Sequence, residues 1–285
     1  MGIVFRPNRG ALLRSTAAPK RNFRTYLPVM AVAVGLLLSS AAARGTADPS
    51  SGGTPAFTID GQVALHSFMA LSDAHMKKLA DLLQLLATTD DARSGDWERI
   101  RGRLDGVTSM TVPAVLWFAR PDGSYWTVTE GRAAGKLSDR AYFPRVLGGQ
   151  TVLGDLVVSR STSRNTAIVA VPVRGRGDAV VGVLGASVHL DRLGALIRQE
   201  MGGLEGDLIF FAIDYTPKGA LHSDPAMIFT EPMRLGDEGM RKAFTEMLSS
   251  AEGTVTYTFR DRPRTVLYRK SPVTGWWYAL GVLRN

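Results

Sequence analysis

Trp117-Phe118-Ala119-Arg120-Pro121-Asp122-Gly123-Ser124-Tyr125-Trp126-Thr127 is the stretch whose reading decides the fold. An aromatic, apolar run meets Pro-Asp-Gly, which turns tightly because proline presets one backbone angle and glycine supplies a positive one. A second aromatic run follows, so the piece reads as a hairpin. Outward from it, Asp139-Arg140-Ala141-Tyr142-Phe143 is a loop, and residues 153–159 and 166–173 are strand-like. Val180-Val181-Gly182-Val183-Leu184-Gly185-Ala186-Ser187-Val188 is a glycine-spaced strand, entered through the turn Arg174-Gly175-Arg176-Gly177-Asp178. An antiparallel sheet around a loop that carries one arginine and two aromatics is the layout of a small-ligand pocket.

The rest of the chain extends this plan. Strands at 112–119, 125–129 and 179–188 complete the first sheet, and a helix over 190–201 closes it before Gly202-Gly203. A second, shorter unit repeats the arrangement. It has strands at 208–213, 220–222, 253–259, 264–270 and 276–283, a turn from Asp214 to Gly219, and a helix over 237–249. In front of both units, Leu65, Phe68, Met76, Leu79, Leu83 and Leu86 recur at helical spacing over 60–87. Such a helix extends about 40 Å, more than one small domain requires. A short helix over 96–104 follows it. The expected fold class is α+β: a long N-terminal helix, then two modules, each a mixed or antiparallel sheet with flanking helices. The expected divisions are a leader (1–47), a linker (48–58), a helical spine (59–111) and two modules (112–203 and 204–285).

Composition narrows the function. The 285 residues are 45% hydrophobic and 21% charged, which is globular material. The net charge of +8 points at first to nucleic acid, but its placement argues otherwise. Residues 1–43 hold six basic residues and no acidic one; the other 28 basic residues face 26 acidic ones. The basicity belongs to the leader, and a nucleic-acid partner loses its support. An apolar run from Leu27 to Leu38 and then Ser39-Ser40-Ala41-Ala42-Ala43 follow the basic stretch, the order of an export signal. Extended to Ala43, the same run could serve as an uncleaved anchor. The expected location is therefore periplasmic or extracytoplasmic, with membrane contact only through this segment. With no cysteine, disulfides and thiolate chemistry are excluded.

No motif for catalysis or metal binding stands out. His66 and His75 are nine apart, which is not the one-turn spacing of a helical metal pair. His222-Ser223-Asp224 has the residue types of a hydrolase triad, but adjacent turn residues rarely reach reacting geometry. The sequence implies no enzyme, no metal and no cofactor. Trp276-Trp277 in the last strand reads as one core ring and one surface ring.

From Trp117 to Leu190 the chain resembles the membrane-distal module of bacterial double Cache sensor domains, which have a PAS-like fold. The residues that carry the resemblance are Pro121-Asp122-Gly123, Asp139-Arg140-Ala141-Tyr142-Phe143, Ala170-Val171-Pro172-Val173 and Gly182-Val183-Leu184-Gly185. The second unit is similar to the membrane-proximal module through Gly219-Ala220-Leu221-His222-Ser223-Asp224-Pro225 and Ser271-Pro272-Val273-Thr274-Gly275-Trp276-Trp277-Tyr278. The resemblance implies an extracytoplasmic sensor that binds a small metabolite in its distal module. Two departures shape the expectation. The amino-acid-binding subgroup has Arg-x-Trp-Tyr where this chain has Arg140-Ala141-Tyr142-Phe143, and an aspartate near the place of Ser187. Both weigh against an α-amino-acid ligand. The sequence also ends at Asn285 with no second apolar span, so signalling is expected to pass through a separate membrane partner.

The candidate ligand residues are Arg140, Tyr142, Phe143, Trp126, Asp155 and Ser187, with Ser159 weaker. Arg140 could clamp a carboxylate through paired hydrogen bonds, or merely balance Asp139 or Asp155. Tyr142 and Phe143 could wall a pocket or fill a core. Trp126 faces one or the other, and Asp155 could accept from a ligand amine. The favoured function is binding of a small anionic metabolite. The alternatives are a ligand-free envelope scaffold and an exported hydrolase.

Overall fold

The computed structural model describes residues 60–202 and 208–283; the expected leader and linker lie outside them. The spine is helix α1 (Gly61–Ala87), whose first amides are capped by the Asp60 carboxylate, 2.7 Å from the Gln62 nitrogen. Its buried stripe runs Leu65, Phe68, Ser72, Asp73, Met76, Leu79, Leu83, the three-and-four spacing of one helix face. Two short helices follow, α2 (Asp90–Ser94) and α3 (Trp97–Thr108), capped by Thr89 and Asp96.

The first sheet contains β1 (Ala114–Ala119), β2 (Ser124–Thr127), β3 (Gly131–Lys136), β4 (Val152–Val158), β5 (Asn165–Arg174) and β6 (Val180–His189). Its order is β3-β2-β1-β6-β5-β4, with every pair antiparallel. Helix α4 (Phe143–Leu147) lies between β3 and β4, and α5 (Leu190–Glu200) leaves β6. The second sheet has β7 (Leu208–Ile213), β8 (Gly219–His222), β9 (Glu252–Phe259), β10 (Arg262–Lys270) and β11 (Trp277–Leu283), in the order β8-β7-β11-β10-β9. Between β8 and β9 stand α6 (Pro232–Leu235) and α7 (Glu238–Ser249). The α+β plan of two antiparallel sheets behind a long helix is the one read from the sequence.

Each sheet is covered on both faces. The inner faces and the spine share one core, with Phe68 of α1 edge-on to Phe210 and Tyr278 of the second sheet. The outer face of the first sheet buries Trp117, Tyr125, Tyr142, Phe143 and Val146, and that of the second packs on α7 through Met240, Phe244 and Met247. This double cover corrects the reading of Trp276-Trp277. Both rings are buried, at 1% and 5% exposure, because Trp276 enters the shared core and Trp277 the outer one. It also explains the glycine spacing of β6. Gly182 lets Phe118 lie on the inner face, where a Cβ would sit 2.5 Å from its ring. Gly185 does the same for Trp117 on the outer face, at 2.1 Å.

A polar junction ties the parts together. Asp73 of α1 accepts the Ser271 hydroxyl at 2.7 Å, while the Val273 and Thr274 amides donate back to that hydroxyl oxygen. Tyr278 donates to Ser72 at 2.7 Å. Burial raises the Asp73 carboxyl above its ordinary value, and the hydroxyls of Ser271, Thr274 and Tyr278 pull it partly back. From the same turn, the Trp276 indole N–H donates to the Gly154 carbonyl of β4 at 2.9 Å, crossing between the modules.

Candidate distal ligand site

Strand parity decides which candidates meet. On β1 the odd residues, Trp117 and Ala119, face outward, and their cross-strand partners Thr127, Tyr125, Gly185 and Val183 face the same way. Ser187 pairs with Val115 and Ile168, and Asp155 also pairs with Ile168, so both lie on the outer face. The loop after β3 brings Arg140, Tyr142 and Phe143 over that face. Five of the six candidates thus share one side of the sheet.

Trp126 is on the other side. It stacks between Trp97 of α3 and Phe118, with ring centroids 6.5 and 6.4 Å away, under the Arg120 guanidinium at 4.8 Å. It belongs to the packing of the hairpin on the spine. Ser159 is buried in the β4–β5 turn, where its oxygen lies 3.3 Å from the Ser161 hydroxyl and 3.4 Å from the Thr162 amide.

Around Arg140 the charges are distributed in an informative way. The two carboxylates that could have balanced it are engaged elsewhere: Asp139 by Arg160, Asp155 by Arg145. The Arg160 bond holds the exposed Asp139 carboxyl below the usual carboxylate range. Arg140 is half-buried, donates to the Val158 carbonyl at 2.9 Å, and pairs with no carboxylate among the described residues. A guanidinium has five N–H donors, so most of its capacity is uncommitted. Two buried phenols sense its charge. Burial pushes Tyr142 well above its ordinary value, and the positive charges of Arg140 and Arg160 offset part of that shift. Tyr125 is raised by burial and relieved by the same two arginines. Tyr142 and Phe143 are 2% and 1% exposed, and Tyr142 lies against Trp117 with centroids 6.4 Å apart.

Arg160, Arg145 and Tyr125 were not read from the sequence. Tyr125 was within reach: once β2 is in register, it must oppose Trp126 in direction. Arg160 was not, because it enters from a turn 20 residues away.

The triad-like run resolves into a turn. His222 Nδ1 accepts the Asp224 amide at 2.8 Å, and the Asp224 carboxylate accepts the Ala226 amide at 3.0 Å. Among the described residues, no three or more histidines and carboxylates gather as a metal site would require. Also among them, no helix is long and apolar enough to cross a membrane.

With this geometry in view, comparison with known proteins is direct. The ligand-binding domain of the Pseudomonas aeruginosa PAO1 amino acid chemoreceptor PctB, in complex with L-Arg, superposes with a TM-score of 0.62 at 16% identity, over 78% of this chain and 94% of that one. The ligand-binding domain of the Pseudomonas fluorescens chemoreceptor CtaA, in complex with L-alanine, gives 0.61 at 16% identity, over 79% and 96%. That of the P. aeruginosa amino acid chemoreceptor PctC with GABA gives 0.56 at 15%, over 79% and 95%. No family model and no curated protein matches the sequence. The described chain therefore has the double Cache fold of extracellular receptor domains.

Proposed function

We propose that this protein is an extracytoplasmic small-molecule sensor domain, and that the outer face of its first module binds a small carboxylate at Arg140. One observation carries the reading. Three guanidiniums, Arg140, Arg145 and Arg160, meet two carboxylates, and the one without a carboxylate partner among the described residues is half-buried near two phenols. A buried cation is stable when an anion completes it, and the clamp geometry of arginine suits a carboxylate. Ser187 offers no negative charge to an ammonium group, so an anionic metabolite fits better than an α-amino acid. The amino-acid ligands of the structural neighbours make the amino acids the natural controls. Bound ligand would be reported to a separate membrane signalling protein.

The test is a thermal-shift and calorimetric screen of small mono- and dicarboxylates with amino acids alongside. Ligand at 100 times Kd adds about 2.7 kcal/mol to stability, a readily visible shift. The reading requires that a carboxylate stabilise the protein and that Arg140→Ala abolish the effect. A ligand that stabilises both chains equally defeats it.

A second reading, a ligand-free interaction scaffold, draws on the tight closure of Tyr142 and Phe143. A silent screen, together with capture of an envelope partner that Arg140→Ala does not weaken, would favour it.

A further inference from the structure

The hairpin that opens the first sheet carries a second cluster, on the face opposite Tyr125 and Arg140. Phe118 of β1 pairs with Trp126 of β2, and Trp126 with Arg132 of β3, so the three form one cross-strand row on the inner face. Trp97 of α3 stacks on Trp126. The Arg120 guanidinium stands 4.8 Å from the centre of the Trp126 ring, and that of Arg132 5.9 Å from it.

This corner is open to a partner. β3 is the edge of its sheet, and α3, the helix on this side, packs on β1. Arg132, Ala134 and Lys136 alternate along one side of β3 and are exposed, as is Arg120. Trp97 and Trp126 are half-buried. Lys136 is held by Asp122 at 3.4 Å. Arg120 and Arg132 pair with no carboxylate among the described residues; Glu98 and Glu130 stand near them in the chain and pair with neither.

A guanidinium laid over an aromatic ring keeps its N–H groups, which lie in its own plane, available at the rim for a carboxylate. The ring also restrains two long side chains, so less freedom is lost when they bind. Tryptophan and arginine dominate the binding energy of protein interfaces, where lysine and glutamate are depleted. The faces of Trp126 are already occupied by Trp97, Phe118 and Arg120, which leaves a sugar ring little to stack on. The exposed edges and the two guanidiniums suit a protein surface instead. We propose that this corner docks an acidic segment of another protein. Its carboxylates would pair with Arg120 and Arg132, and its apolar side chains would pack on the edges of Trp97 and Trp126. The surface is separate from Arg140 and needs no ligand there.

The probe is a short fluorescein-labelled peptide of alternating glutamate and leucine, titrated into the full chain and followed by anisotropy, with the glutamine–leucine peptide alongside. The glutamate peptide should bind at least about tenfold more tightly than the glutamine one. Arg120→Gln/Arg132→Gln should weaken it at least about tenfold. Arg176→Gln/Lys242→Gln removes the same charge from exposed positions elsewhere and should change it by less than about twofold. Absence of saturable binding at millimolar concentration overturns the proposal. An equal loss in the two double variants also overturns it, since attraction would then follow net charge alone. Loss in Arg140→Ala with retention in Arg120→Gln/Arg132→Gln does the same, because the peptide would then sit on the outer face. Polygalacturonate, an acidic polymer without apolar side chains, defeats the protein partner if it competes equally well at the same carboxylate concentration. Should Arg120→Gln/Arg132→Gln fail to fold, Arg132→Glu on the exposed edge strand carries the test. A loss of about tenfold there supports the proposal, and unchanged affinity overturns it.

Discussion

The outer faces of the two sheets are built alike and finished differently. Each sets an arginine that has no carboxylate partner among the described residues near a buried tyrosine, Arg140 with Tyr142 in the first module and Arg264 with Tyr257 in the second. In the first, aromatic side chains from the sheet and from α4 close over the face. In the second, α7 closes the face through Met240, Phe244 and Met247. The same fold thus covers one outer face with aromatic side chains around a short helix and the other with the apolar stripe of α7.

The comparison can be broken most forcefully at Gly185. A valine there meets the Trp117 ring, which has no room to retreat in the distal aromatic floor. Gly185→Val should lower the unfolding free energy by about 3 kcal/mol or more, read from denaturant midpoints. A loss below about 1 kcal/mol would mean that the floor is loosely packed and the contrast with the second module overstated.

Acid should separate the modules next. Burial lowers the pKa of His222 in the folded chain to about 4, against 6.5 for a free side chain. Below pH 6.5 the unfolded chain takes up a proton that the folded chain refuses. Stability present above that pH is therefore lost as pH falls towards 4, by up to about 3 kcal/mol. Asp73 works in the opposite sense, because its raised carboxyl favours the folded chain at low pH. The clean measurement is the difference between the parent and His222→Leu across pH 4–7. Equal slopes would show that the second module does not carry this sensitivity.

The smallest effect is expected at Gly194 of α5, where the nearest atom to an added Cβ is 3.8 Å away on Leu221. Gly194→Ala should stabilise by about 0.5–1 kcal/mol through helix propensity alone. Its contrast with Gly185→Val distinguishes a glycine required by a neighbour from one that is not.

Much of this was legible in the sequence. Val169, Val171 and Val173 on β5, or Val255, Tyr257 and Phe259 on β9, announce strands by branching and alternation. Gly131-Arg132-Ala133-Ala134-Gly135-Lys136 does not, and β3 was missed because an edge strand exposed along much of its length needs no apolar pattern. Helix α4 escaped because five residues that begin Phe143-Pro144 carry no periodicity. Arg140 could be singled out as a candidate from its loop, but the engagement of Asp139 and Asp155 by other arginines could not. That depends on where Arg160 and Arg145 land, which is a tertiary fact.

Gly154 and Asp155 are consecutive on β4. The carbonyl of one receives Trp276 from the other module, and the carboxylate of the next holds Arg145 at the candidate site. The ladder slips between Leu153 and Asp155, and Gly154 stands there at φ +99°, a backbone shape that few side chains tolerate. The outer surface of the first sheet and its junction with the second module therefore meet at a single peptide unit. A substitution that shifts this peptide would disturb the indole bond of Trp276 and the Arg145 pair of Asp155 together.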